Sequence, residues 1–221
     1  MSKYDIKYFL FLSYKILIYL YLFTNINSIK INSAKLNEIL LAQHNKYRKM
    51  HGVDVLELDN ELIKLAQDYS AVLAYKVDVN QNIENIFNII PSKNKNKNKE
   101  KVGENIFTCT SILKTSCYED NSTKPVDEWY NEIEFYNFTD PGFSLNTAHF
   151  TQIVWKETTK IGCGASVASD GVTYKVVCNY YKPGNMIDST IFSENVLPPE
   201  FSQLLSLNYA YIILIILFYL K

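Results

Sequence analysis

Apolar residues recur with helical spacing along much of the chain. Over 35–49, Leu36, Ile39, Leu40 and Tyr47 fall near one stripe, which predicts a first helix. Asp59 offers the cap of a second, in which Leu62, Leu65, Ala66, Tyr69, Val72 and Leu73 keep the helical period. A third begins at Pro125, the favoured first helical position, with Val126, Trp129, Tyr130 and Ile133 as its apolar face. Glu132 follows Trp129 by three residues, so its carboxylate lies beside that face rather than opposite it. A short helix capped by Thr147 then turns Phe150, Ile153 and Val154 inward. Beyond it, Asp170-Gly171 is a strong two-residue turn signal and predicts a hairpin. Cys163 stands seven residues before Asp170 and Cys178 seven after Gly171, so this register sets the two cysteines directly opposite, close enough to bridge. Cys109 and Cys117 then pair by elimination. Helices first and a hairpin last make an α+β arrangement.

Two apolar runs lie outside this domain. Residues 1–28 carry Lys3 and Lys7, then an apolar run from Tyr8 to Phe23 broken only by Lys15, then small polar residues. The pattern is that of a secretory signal cleaved near Asn27 or Ser28, or of an uncleaved anchor. At the other end, 204–221 forms a mostly apolar tail ending in YIILIILFYL and a lysine. It fits a signal exchanged for a glycolipid, a marginal tail anchor, or a strip that packs on itself. The first two readings put the folded domain, 33–199, on the outer face of a membrane. Within that domain PSKNKNKNKEK, at 91–101, can bury nothing and reads as a solvated insertion.

Composition narrows the function classes. The chain has 221 residues, enough for one domain with a real core, and a formal charge of −1. That balance supplies no field for nucleic acid, which is excluded as a partner. Four cysteines behind a signal read as two disulfides, and Asn121 and Asn137 head glycosylation sequons.

Several motifs carry a resemblance: AQHNKYRKMHG (42–52), GENIF (103–107), EWYNEI (128–133), YNFTDPGF (136–143), TAHFTQIVW (147–155), KETTKIGCG (156–164), VVCNYYKPGN (176–185) and ENVLPP (194–199). Together they closely resemble the CAP family of cysteine-rich secretory, antigen 5 and pathogenesis-related proteins, over roughly 34–199. The resemblance implies a three-layer α–β–α sandwich around a small antiparallel sheet. It also implies a central cleft lined by two histidines and two glutamates. His149, Glu104 and Glu132 match three of these positions, and the fourth falls near Gln81, in AYKVDVNQN, where no histidine occurs. Two imidazoles can hold zinc and leave room for water, whereas a glutamine amide is a weak ligand. Transition-metal affinity is therefore expected to be lost or much reduced, and no cofactor is expected. His44 and His51 belong to the first-helix motif and do not substitute by spacing; His44 reads as a packing residue beside Tyr47 and Arg48. Glu104, Glu132 and His149 form either a functional cleft or a hydrogen-bonded brace between helices and sheet.

In YNFTDPGF, Tyr136, Phe138 and Phe143 are spaced like the loop that family members use for sterols, and they present aromatic faces on a Pro-Gly turn. The leading expectation is a non-enzymatic, secreted or surface-attached domain that binds sterol or another lipid. A scaffold for an extracellular protein partner, as in immune modulation, is the alternative. A hydrolase working through His149 and the glutamates is the weakest reading, because no Ser or Cys sits in an activation motif.

Overall fold

The computed structural model describes residues 31–78, 101–110, 122–186 and 189–200. The signal region, Gln81, Cys117, Asn121, all but Lys101 of the insertion at 91–101 and the apolar tail lie outside the described residues. Along the chain run α1 (Ser33–Met50), β1 (Glu57–Leu58), α2 (Asn60–Asp78), β2 (Gly103–Thr110), α3 (Lys124–Asn131), a 3-10 turn (Glu132–Phe135), α4 (Ala148–Val154), β3 (Lys160–Val167), β4 (Thr173–Tyr181) and α5 (Ser189–Asn195).

The first four helices form where the sequence placed them, α5 was not anticipated, and α1 buries a different stripe. Leu40 is fully buried as expected, whereas its companions inside are Asn37, His44 and Arg48; Leu36, Ile39 and Tyr47 are only half-buried. The polar residues go in because each finds backbone partners there, which removes the cost of burying them. Asp59 caps α2 as predicted, its Oδ1 accepting from the Glu61 and Leu62 amides at 2.9 and 3.1 Å. Leu62, Ala66, Ser70 and Ala74 make the deepest row of α2, with Leu65, Tyr69, Val72 and Leu73 at its flanks.

The sheet order is β1-β3-β4-β2. Its three long strands pair antiparallel, but the expectation of a wholly antiparallel sheet needs correction: two-residue β1 joins β3 in parallel. The chain returns to the same end of the sheet only after the α2-to-α4 segment, the long crossover that a parallel pair requires. Gly162 and Gly164 let α2 lie directly on β3; a Cβ there would fall 2.1 Å from the Ile63 nitrogen and 2.2 Å from that of Gln67. On the other pleat face stand Cys163, Cys178 and Asn105, and Asn105 reaches the carbonyl of His149 on α4. Helices therefore cover both faces, giving the α–β–α layering.

Side-chain amides finish the edge that β1 is too short to cover. Asn37 donates to the Cys163 carbonyl and accepts its N–H, at 2.9 and 2.8 Å. Gln67 does the same for Ala165, and Asn45 for Leu56. Asn37 and Gln67 thus present the donor and acceptor of a missing strand to β3 at Cys163 and Ala165, and Asn45 does so for the residue entering β1.

The hairpin keeps the predicted register, Cys163 opposite Cys178, and the two are disulfide-bonded with Cα atoms 4.1 Å apart. A crosslink at a sequence separation of 15 is worth roughly 3 kcal/mol through loop closure. The turn is longer than the two residues expected. Ala168 and Thr173 close the ladder, and Asp170 accepts from the Val172 and Thr173 amides inside a four-residue connection. Cys109 is also disulfide-bonded, while its predicted partner Cys117 is outside the described residues.

Candidate functional site

Glu132 leaves the end of α3 and meets the start of α4. Its Oε2 accepts the backbone N–H of His149 at 2.9 Å and of Phe150 at 3.2 Å, and its Oε1 accepts the His149 Nδ1–H at 2.6 Å. Thr147 occupies the cap position, but its hydroxyl turns back to the Ser144 carbonyl and makes no capping bond. The predicted cap is thus corrected: a carboxylate from another helix takes the free amides, which a full negative charge does better than a hydroxyl. The His149 ring lies near-parallel to Trp129, centroids 6.0 Å apart. Asn185 holds the same turn, donating to the Ala148 carbonyl at 2.8 Å and accepting from the Thr151 hydroxyl at 2.6 Å.

Glu104 is held elsewhere. It stands on β2 opposite Asn179, whose amide donates to its Oε2 at 3.2 Å, and on the pleat face away from Asn105. Burial raises its carboxyl above the ordinary range, with the Asn179 hydrogen bond pulling the other way. The structure therefore joins Glu132 and His149 directly and gives Glu104 a separate partner. Gln81 is outside the described residues. Among the described residues no group of three His, Cys, Asp or Glu side chains is gathered to hold a metal ion. Glu132 spends its oxygens on N–H donors, and the same contact occupies Nδ1 of His149. Among the described residues, Glu104, Glu132 and His149 as arranged do not gather into a zinc site.

The other two histidines are structural. His44 donates Nδ1–H to the Leu40 carbonyl at 2.7 Å and accepts the Tyr180 hydroxyl at Nε2, 2.8 Å, fully buried. His51 donates to the Leu197 carbonyl at 2.6 Å and accepts the Tyr130 hydroxyl at 3.0 Å.

The aromatic loop divides into an inner and an outer part. Tyr136 is buried, and Phe138 is half-buried against Tyr136, Phe150 and His51, with centroids 4.9, 6.3 and 6.5 Å away. Phe143 remains 48% exposed. Close by, Glu132, Phe135, Leu145 and Asn146 line a groove of about 460 Å³, with Phe135 72% and Leu145 80% exposed. Sequence reasoning missed Phe135 and Leu145. Their signal was there: both are large apolar residues in a polar, acidic stretch where no helical stripe claims them.

If Glu132 braces α4, Glu132→Ala should lower folding stability by roughly 1–2 kcal/mol, the loss expected for a helix cap. Urea denaturation of the purified chain measures it. A variant as stable as the wild type would leave the carboxylate without this structural duty.

A model of the cysteine-rich secretory protein family, CAP, matches residues 41–180. The chain is 39% identical over 164 residues to the human Golgi-associated plant pathogenesis-related protein 1, covering 74% of this chain and 93% of that one. It is 40% identical over 96 residues to salivary antigen-5 of Dipetalogaster maximus, covering 41% of this chain and 38% of that protein. Among solved structures, BmVAL-1 superposes with a TM-score of 0.54 at 20% identity, over 76% of this chain and 85% of its own, a likeness of fold alone.

Proposed function

The chain belongs to the CAP family, and from that premise we propose that it is a non-enzymatic domain of the secretory route that binds sterol or another lipid on the outer side of its aromatic loop. The observation that carries this reading is a groove lined by the exposed apolar side chains Phe135 and Leu145 with Glu132 and Asn146, with Phe143 exposed two residues before Leu145. Exposed apolar side chains gathered beside a groove mark a binding surface more often than a solvated one. Glu132 and His149 support a binding role over catalysis, since the carboxylate is committed to amide donors and no nucleophile in an activation motif accompanies the imidazole. The signal-like leader, the apolar tail and the sequon at Asn121 support an extracellular domain attached to the outer membrane face. Asn137 is exposed, its side-chain oxygen accepting from Thr139.

Phe138 makes a poor probe of ligand binding, because its ring is packed on Phe150 and His51. Phe143→Ser combined with Leu145→Ser removes apolar surface that the fold does not use. Cholesterol affinity of the purified chain is expected to fall about tenfold or more in that variant, with thermal stability retained. Undiminished affinity, or a wild type that binds no lipid, ends this reading and leaves an extracellular protein as the partner to seek.

A further inference from the structure

The C-terminal end of the domain leaves from the same corner that carries the aromatic loop. His51 holds the Leu197 carbonyl, and the Glu200 carboxylate lies against Gly52, where a Cβ would sit 2.9 Å from Oε1. The His51 ring in turn stacks on Phe138, centroids 6.5 Å apart and 27° from parallel. So Leu197, three residues before Glu200, and Phe138 of the aromatic loop share one imidazole. Met50, beside His51, adds another exposed apolar side chain, at 45%.

Chain length then limits how far this corner can stand from whatever holds the tail. Four peptide steps separate Glu200 from Leu204, a reach of at most about 14 Å. The apolar run 204–220 is 17 residues, the length of a marginal membrane anchor. With that run lodged in a membrane, the corner must sit at the lipid headgroups. Its charge selects among lipids. Residues 132–146 contain Glu132, Glu134 and Asp140 and no Lys or Arg, and Glu200 offsets the exposed Lys49 beside Met50. Anionic headgroups would be repelled, and apolar side chains beside an acidic rim suit a zwitterionic surface.

From this we infer that the loop at Phe135, Phe143 and Leu145 is a bilayer-docking surface, inserted shallowly into phosphatidylcholine-type membrane beside the emerging tail. The inference rests on the membrane reading of the tail, and it makes the membrane the source from which the proposed groove takes its lipid. These three side chains would enter the acyl boundary, as the apolar face of an interfacial helix does.

Fluorescent reporters in the full chain test it. Leu145→Trp and Phe143→Trp replace exposed side chains, and Ser169→Trp, at the β3–β4 tip, serves as the distal control because β4 runs nine residues, Thr173–Tyr181, away from that tip. The chain is incorporated into phosphatidylcholine vesicles whose acyl chains are brominated near the headgroup. Quenching at 145 and 143 is expected to exceed that at 169 by about twofold or more, and to weaken when phosphatidylserine is added. Equal quenching at all three positions in vesicle-bound protein overturns the docking surface. A chain that fails to float with vesicles overturns it together with the tail reading. A glycan found on Asn137 of the membrane-bound form, read by peptide mass, also overturns it, since sugar there would hold the loop off the bilayer. Loss of sterol binding with quenching intact would instead remove the sterol reading and leave the docking surface standing.

Discussion

Replacing Arg48 with methionine is expected to remove about 4 kcal/mol or more of folding stability, a large share of the 5–15 kcal/mol typical of a domain. The side chain is fully buried, and among the described residues no carboxylate pairs with it. Its guanidinium instead donates Nε–H to the Asp54 carbonyl at 2.6 Å, Nη1–H to Ile153 and Trp155 at 2.9 and 2.8 Å, and Nη2–H to Thr158 at 2.9 Å. Those acceptors come from the loop after α1, the last turn of α4 and the approach to β3. Burial lowers the Arg48 pKa to about 10, with Asp54 and Tyr180 opposing, so it stays charged at neutral pH. Removing it strands the carbonyls of Asp54, Ile153 and Thr158, each costing about 1–3 kcal/mol if left unpaired in the interior, while that of Trp155 keeps the Thr158 amide. Lysine is no substitute, because an ammonium cannot span a fork of this width; Arg48→Lys should lose roughly half as much. Urea denaturation measures both. An Arg48→Met chain within about 1 kcal/mol of the wild type would show that water or relaxation satisfies these carbonyls, and the clamp would be an incorrect description.

Acid should weaken the domain before its lowered aspartates titrate. His44 is fully buried, and loss of hydration lowers its pKa from 6.5 to about 4; the Leu40 hydrogen bond opposes this and Arg48 adds to it. His51 is lowered in the same sense, again chiefly by burial. Both rings are neutral in the fold, whereas the unfolded chain protonates them below pH 6.5. Their contribution to stability is thus fully present above pH 6.5 and is lost as pH falls toward the folded value. For His44 the loss reaches about 3 kcal/mol near pH 4, at up to 1.4 kcal/mol per pH unit. Glu104, whose carboxyl is raised, works in the opposite direction and offsets part of it. Asp59, Asp127 and Asp170 are lowered, so they act mainly below 3.8 and leave the window from pH 6.5 to 4 to the histidines. Stability measured across that window should fall, and His44→Gln should flatten the slope. A profile that is level from pH 7 to 4 would mean that one or both rings bind protons without unfolding.

Some elements could be read directly from the chain because the deciding interactions are local. The α2 cap rests on Asp59 and amides two and three residues away. The hairpin register follows from equal counts on either side of Asp170-Gly171, and cysteines that face across a ladder can bridge whatever the surroundings. His44 read as a packing residue from its place beside Tyr47 and Arg48, and it is buried. Other features were illegible for a common reason. Period analysis counts apolar side chains, so it assigned the inner stripe of α1 to Leu36, Ile39 and Tyr47 rather than to Asn37, His44 and Arg48. Those three are inside because their partners, Cys163, Tyr180 and Thr158, lie more than a hundred residues away and arrive only on folding. The short strand β1 was invisible too, two residues having no period to detect.

The candidate site divides along the same line. Motif and spacing named Glu104, Glu132 and His149 together, and Tyr136, Phe138 and Phe143 together, as equal members of two sets. Residue type and sequence distance carry no information about which side chain meets which. Only the tertiary structure decided that Glu132 caps α4 and orients His149, that Glu104 answers to Asn179, and that Phe138 faces the core while Phe143 faces out. The chain by itself determined the family, the first four helices and the hairpin with its disulfide, because these follow from local periodicity, turn chemistry and motif. Which polar groups are consumed in holding the fold, and which surfaces remain to bind, was decided by long-range packing, since a hydrogen bond or a buried face exists only once both partners are in place.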